Sequence, residues 1–520
     1  MGLKYSALTQ WSDLRVTEVT TDRELDAIYR AKIGGMTDED VMKHFSVGRR
    51  EIEKAVVRRT GTNLNLFSST RPFAGLAPEG FVLEPTTVWS FKNRGRWATH
   101  NGNYRGNWSP YIPRNVILRY SLPGELVLDQ FCGAGTTAVE AKLLGRRCIA
   151  RDINAAAVAL AHQNLSFEVA EQDTLEDAAD SSQLYEPTVE TGDARSLAGI
   201  DDGSVDLICT HPPYADIIHY TEGHPDDISF HDVDTFIDDM RTVAGECLRV
   251  LKPGGTCAIL IGDTRKNRHV VPIGFRTIEA FIDQGFKLKD LVIKRQHNCR
   301  TDGFWYSSSI KYNFLLLAQE YLPVFVKPSG KSRRSGTPSA GTQAFSSRRV
   351  SVSAPPTVLE CKTTWVFPSE RFDELTEANL LNRYGNKGNI LQVEFGEGTE
   401  GSSLDKRHGY DLVYCKSWLG SKRTLRGFSE YVRLVRLFVD QASPLINTGG
   451  HLVIRTKDEK AGEETISPAL QIWRIQGEDF RLREIIVLAH APADRAQGQE
   501  QGLQIAHEFL LVYQRKTDAA

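Results

Sequence analysis

Residues 125–137 read Glu-Leu-Val-Leu-Asp-Gln-Phe-Cys-Gly-Ala-Gly-Thr-Thr: a short apolar strand, a glycine turn and the start of a helix. Glycines at 133 and 135 let the backbone bend sharply and approach a ligand closely, and the first turn of the following helix offers free N–H groups. Asp152 closes the next apolar segment, 19 residues after Gly133, where a carboxylate one strand over can accept from both hydroxyls of a ribose. Such a turn belongs at the end of a strand in an open parallel sheet. The pattern downstream agrees: apolar segments at 126–128, 148–149, 205–209 and 257–261 alternate with helical ones at 136–144, 155–165 and 233–250. The expectation is an α/β fold of Rossmann-like type, its sheet covered on both faces.

Gly133-x-Gly135-x-x-Ala138 also satisfies a relaxed dinucleotide fingerprint, so a nicotinamide cofactor is the rival reading. Asp129 separates the two. Just ahead of the turn, its carboxylate would repel a pyrophosphate but could pair with the α-ammonium of S-adenosylmethionine, which carries no phosphate. A second motif, Thr210-His211-Pro212-Pro213-Tyr214, follows the strand at 205–209. Its prolines lack N–H donors and stiffen the turn, leaving the Pro212 carbonyl to face a substrate and the Tyr214 ring to stack on it. That suits a planar amine.

Asp129-x-Phe131-x-Gly133-x-Gly135-Thr136-Thr137 with Pro212-Pro213-Tyr214 resembles the motif pair of the DNA amino-methyltransferases, which make N6-methyladenine or N4-methylcytosine. The likeness covers roughly residues 85–327. It implies a class I methyltransferase sheet, S-adenosylmethionine as cofactor, double-stranded DNA as substrate, and a companion restriction endonuclease or defence-system proteins as partners. By the same resemblance Asp129, Phe131, Gly133, Gly135, Thr136, Thr137 and Asp152 would bind the cofactor, Asp193 would lie near its adenine, and His211, Pro212, Pro213 and Tyr214 would form the catalytic loop. The amine lone pair is delocalised into the base, so acceptors at the Pro212 carbonyl and His211 would localise it, with the base flipped out against Tyr214.

The family usually has Asp, Asn or Ser where this chain has His211, and an imidazole accepts a hydrogen bond only when neutral. The Thr-x-Pro-Pro-Tyr setting is nearer the cytosine-N4 members, which favours N4 of cytosine slightly over N6 of adenine. Three alternatives stay open: an RNA guanine-N2 methyltransferase, a non-catalytic DNA-binding protein with a decayed loop, and a nicotinamide oxidoreductase. C5-cytosine chemistry drops out, because it needs a cysteine after a proline and none of the eight cysteines follows one.

Length and charge organise the rest. A chain of 520 residues exceeds one core, and a net charge of -3 gives no global pull toward nucleic acid, so any such affinity is local. Residues 1–85 form a helical region in which 36–60 divides like a helix-turn-helix, with Arg49 and Arg50 opening its second helix; a helical hairpin packed on a larger domain is the plainer reading. The catalytic domain spans 86–326. Its first part, 85–124, has six basic residues and no acid among Trp and Tyr rings, so Arg94, Arg96 and Arg105 are candidates for nucleic-acid contact, against the alternative that the rings are core. Arg300 and Trp305, in an expected loop at 296–311, are further candidates. His219, His224 and His231 have no regular ligand spacing, and no metal is expected.

Residues 327–357, rich in Ser, Gly and Pro with six basic residues and no acid, read as a flexible linker. Beyond it, 358–520 echo the second half of the catalytic domain in five segments taken in order, from Tyr410-Asp411-Leu412 against Val205-Asp206-Leu207 to Phe509-Leu510-Leu511 against Phe314-Leu315-Leu316. This part is a degenerate methyltransferase-like copy without the glycine turn, and a candidate for target recognition. No run of eighteen apolar residues or signal-like start is present, so the cytoplasm is the expected location.

Overall fold

The computed structural model describes residues 22–33, 36, 38–47, 52, 55, 75–100, 102, 104, 106–167, 184–215, 220–221, 224–297, 302–330, 343–351, 359–385, 388–397, 404–405, 409–418, 425–475, 477–491 and 502–517. Two helices come first, α1 (Asp22–Ile33) and α2 (Asp38–Phe45). Leu25, Ile28 and Val41 bury against Ile52 and Ala55 in a small core of their own. Arg49 and Arg50 lie outside the described residues.

The first sheet contains β1 (Val88–Trp89), β2 (Leu126–Asp129), β3 (Arg147–Asp152), β4 (Thr188–Thr191), β5 (Val205–Thr210), β6 (Leu251–Ile259), β7 (Ile261–Gly262), then, after the hairpin β8 (Thr264–Lys266) and β9 (His269–Val271), β10 (Lys287–Arg295) and β11 (Gln319–Val326). Their order is β1-β10-β11-β6-β5-β2-β3-β4, with β7 also on β11. From β6 to β4 all pairs are parallel, and β11 runs antiparallel to both β6 and β10. Alternation of side chains sorts these strands between two cores. Val127, Cys209, Ala258 and Val292 face α3 (Tyr111–Tyr120), α4 (Thr136–Leu143) and α5 (Ala155–Leu165). Leu128, Ile208, Cys257 and Leu291 face α6 (Val233–Val250) and α7 (Ile273–Asp283). On α6 the buried residues Phe236, Met240, Val243, Cys247 and Val250 recur every three or four positions, and Asp232 caps the first turn by accepting from the N–H groups of Asp234 and Thr235.

The second sheet repeats this plan in part. After α8 (Asp302–Tyr312) come β12 (Gln343–Val350), β13 (Thr364–Phe367), α9 (Phe372–Tyr384), β14 (Ile390–Glu397), β15 (Tyr410–Lys416), α10 (Leu425–Ala442), β16 (Ile446–Lys457), the hairpin β17 (Glu459–Ala461) and β18 (Glu464–Ile466), α11 (Pro468–Ile472), β19 (Phe480–His490) and β20 (His507–Arg515). The order β12-β14-β15-β16-β20-β19-β13 matches β3-β2-β5-β6-β11-β10-β1 position by position. The paired glycines of the echo have one structural cause: a Cβ on Gly255 or Gly450 would sit 2.9 Å from a main-chain oxygen of the same turn. In the position of β3, however, β12 runs antiparallel to β14, and among the described residues nothing stands in for β4. The expected linker is thereby corrected in part. Residues 343–350 are a strand, because the alternating segment around Phe345 covers the open edge of β14, and Phe345 is buried.

The halves clasp each other reciprocally. Thr87 donates to Gln504 and Gln504 to Pro85; Thr363 donates to Leu316 and Leu316 to Cys361, all through main-chain N–H groups at 2.9–3.0 Å. The Thr87 hydroxyl accepts from Ala506 N–H and the Thr363 hydroxyl from Ala318 N–H, each at 3.0 Å. Lys460 pairs with Asp290 and Arg265 with Glu484 in the same exchanged sense. One apolar core, including the Phe275–Phe509 contact, runs through both halves.

Candidate active site

The site forms where β2, β3 and β5 end. At the glycine turn Gly133 and Gly135 have φ of +49° and +79°, the left-handed region that other residues occupy at a penalty. Gly133 N–H donates to Asp152 at 2.8 Å, and a Cβ on Gly133 would meet the Tyr104 ring at 3.0 Å. Thr136 and Thr137 are buried: Thr136 donates to Asn107, and Thr137 to the Cys209 carbonyl at 3.4 Å.

A first cavity opens beside this turn, lined by Phe131, Gly133, Asp152, Asp193, His211 and Pro213, with Tyr104, Gln130 and Tyr220. Asp129 is not among its lining residues. It lies beneath, 2 % exposed, accepting from Thr210 at 2.7 Å and from Phe131 N–H at 3.1 Å, and burial pushes its carboxyl up to about 6. In this structure Asp129 ties β2 to β5. Its neighbour Gln130 is buried as well, 1 % exposed. Gln130 lines the cavity with its Oε1 unpartnered, while its Nε2 donates to Cys247 Sγ at 3.1 Å. The wall also carries Asp152, Asp193, Asp226 and Asp227 against one cation, Arg195, itself bonded to Asp193 and Asp226. That excess of acid disfavours linked phosphates and favours a cationic ligand.

A second cavity, about 570 Å³, adjoins the first and shares Gly106, Asn107, Trp108, His211 and Tyr220 with it. The Trp108 ring stacks on His211 with centroids 5.4 Å apart. Four side chains form a chain along the wall: His211 Nε2 lies 2.7 Å from the Tyr214 hydroxyl, Tyr214 donates to Glu320 at 2.9 Å, and Lys294 donates to the other Glu320 oxygen at 2.6 Å. Burial pushes His211 down to about 4, so its ring is neutral at physiological pH. Gln130, Lys294 and Glu320 escape sequence reasoning. The one signal is Gln319-Glu320, two polar residues heading an apolar strand, and buried polar groups carry information.

The basic and aromatic stretch at 85–124 is largely interior. Trp89, Trp97, Tyr104 and Trp108 are buried. Arg114 is fully buried and donates to Glu140, which also accepts from Trp97 and meets His100. Arg94 is corrected too: it donates to the main-chain carbonyls of Asn107 and Trp108, at 2.6 and 2.7 Å, so it shapes the second cavity and is not free for phosphate. A charge far in sequence from its counter-ion cannot be told from a solvated one by composition. Arg96 is exposed, while Arg105 and Arg300 lie outside the described residues. Trp305 is exposed, on helix α8 where a loop was expected. His231 pairs with Asp239 and His224 with Asp226, and His219 lies outside the described residues.

Comparison with known proteins adds an independent line. A family model described as DNA methylase matches residues 38–163 and 205–380, and one described as RMKL-like, methyltransferase domain matches 117–226. The Type II methyltransferase M2.DpnII of Streptococcus pneumoniae is 36% identical over 84 residues, 16% of this chain and 30% of that protein. The chain thus spans under a third of the curated relative it matches. Among solved structures, a SAM-dependent methyltransferase of Methanosarcina mazei is 13% identical, over 41% of this chain and 97% of that one, with a TM-score of 0.28. TrmN of Thermus thermophilus is 18% identical, over 43% of this chain and 50% of that one, with a TM-score of 0.27.

Proposed function

Because the chain belongs to the DNA methylase family, whose model matches more than half its length, we propose that it transfers a methyl group from S-adenosylmethionine to an exocyclic amine in double-stranded DNA. The observation that carries this reading is the meeting of two cavities at His211 and Trp108, one beside the glycine turn and one with room for a base. S-adenosylmethionine, when bound, supplies an activated methyl group on a positively charged sulfur. The residues present fit it: the unpartnered Gln130 oxygen is an acceptor for the amino-acid tail, Asp152 stands ready for ribose hydroxyls, and Gly133 leaves the space that a Cβ would fill.

The chain's own work is to hold and aim the amine. The Pro212 carbonyl accepts from an amine hydrogen, which draws the nitrogen toward a tetrahedral shape, and His211, whose Nε2 donates to the Tyr214 hydroxyl, holds the loop that presents that carbonyl. Tyr214 has its hydroxyl engaged by Glu320, which fixes the ring that a flipped base would meet. Burial keeps the His211 ring uncharged. N4 of cytosine is favoured slightly, on the Thr-x-Pro-Pro-Tyr setting. The test is transfer of labelled methyl from S-adenosylmethionine to duplex DNA, tRNA or no acceptor, with the modified nucleoside identified by mass spectrometry. N4-methylcytosine in the DNA arm is expected, and label in tRNA alone would overturn the reading.

A further inference from the structure

Ten large apolar side chains stand exposed among the described residues, and four of them lie on the single helix α8: Trp305 at 48 %, Tyr306 at 51 %, Ile310 at 54 % and Tyr312 at 39 %. A concentration of this kind marks an interaction surface. Its position names the partner. The segment carrying α8 leaves the sheet at Gln296 and His297, which line the second cavity, and returns at Glu320, which lines it too. Gln296 N–H donates to the Ala318 carbonyl at 2.8 Å and closes the neck of this excursion. The far end is pinned to the other half of the chain: Arg483 donates to the carbonyls of Tyr312 and Asn313, and Arg383 to the Asn313 side chain.

Charge points the same way. Arg268 lies over the Tyr312 ring at 3.8 Å and Lys311 at 5.1 Å, and Lys92 is exposed on the rim of the cavity. A ring flanked by cations at the far end of an excursion whose neck lines a base-sized cavity matches a duplex in chemistry, since bases offer faces to stack on and phosphates offer charge.

We infer that α8 is a wedge: Trp305 and Tyr306 enter the duplex beside the target and stack into the gap left when the base turns into the second cavity. The inference rests on the reading of this site as a DNA methyl-transfer centre. Flipping requires unstacking, and a ring that replaces the lost stacking makes the opened state accessible.

The experiment compares the full chain with Trp305→Ala/Tyr306→Ala on two substrates, a paired duplex and the same duplex mismatched at the target base. On the paired duplex, turnover of the variant falls roughly 10- to 100-fold, the factor carried by base–aromatic stacking. On the mismatch, whose base is already loose, the loss shrinks severalfold. Binding of S-adenosylmethionine, followed by calorimetry, stays at the wild-type value, and Trp305→Phe/Tyr306→Phe restores paired-duplex turnover. Equal loss on both substrates, or no loss on either, overturns the wedge while the wild type still methylates. A wild type that methylates no DNA overturns the reading of the site itself.

Discussion

Replacing Thr363 with valine tests whether the two halves hold each other up. Thr363 is fully buried, and its hydroxyl accepts from Ala318 N–H across the junction. Valine keeps the shape and removes the acceptor. Gln319 Oε1, to which Thr363 donates, retains Thr364 as a second donor at 3.1 Å, so the one group orphaned is a buried main-chain N–H. That costs about 1–3 kcal/mol, and amides that exchange through separation of the halves should exchange roughly 5- to 150-fold faster. Hydrogen exchange read by mass spectrometry resolves this for β10, β11 and β19, which flank the junction on both sides. Thr87→Val is the counterpart. There the hydroxyl also faces His507 Nδ1 at 2.8 Å, and His507 Nε2 lies 3.2 Å from Asp458, so Nδ1 is the acceptor and loses its donor as well. The larger effect, roughly 2–4 kcal/mol for two orphaned groups, is expected at Thr87. If Thr363→Val quickens exchange in β19 and leaves β10 and β11 unchanged, the halves are merely adjacent.

Other consequences can be checked directly. Gly135→Ala forces a side chain into φ +79°, with its Cβ 2.9 Å from that of Ala161; a loss of roughly 2–4 kcal/mol from strain and overpacking should lower the melting temperature, and an unchanged one would refute the tight fit of α4 on α5. Burial raises Asp152 to about 6, so its neutral form is favoured in the folded chain and that stabilisation is lost as pH rises through 6. A ligand that binds the ionised form behaves oppositely: S-adenosylmethionine affinity should fall up to roughly tenfold per pH unit below 6, a slope that Asp152→Asn abolishes. Tyr214→Ala should lower turnover at least roughly tenfold with little change in cofactor affinity, whereas Tyr214→Phe, which keeps the ring and loses the hydroxyl that Glu320 holds, should lose less than Tyr214→Ala; equal losses of binding and turnover in Tyr214→Ala would remove the stacking role.

What the sequence discloses follows from locality. Helices α5 and α6 are legible to the residue, because their apolar spacing and caps are written within a single segment. The echo beyond residue 358 is legible where paired glycines and apolar strands repeat in order, but its last pairing, Phe509 against Phe314, is out of step, since β20 takes the place of β11 at Gln319–Val326; the exchanged bonds between the halves are not readable. Phe131, Gly133, Asp152 and Asp193 line the first cavity, as a turn at the end of β2 requires. Asp129 and Gln130 differ by one position at a strand end, and the bond that Thr210 on another strand donates to Asp129 is not written in their own segment. Arg94 and Arg114 mislead for the same reason, their partners being a loop carbonyl and a buried glutamate. Lys294 and Glu320 come together only through the register of β10 on β11.

The core that passes from one half into the other has a consequence for genetics. Among its described residues the second half has no glycine turn, yet it supplies anchors and apolar contacts to the half that carries both cavities. Selection for activity therefore acts on both. A screen for inactive mutants should recover buried substitutions from β16, β19 and β20 as readily as from the catalytic loop, and these will be recognised by low abundance of the protein and not by an altered choice of target.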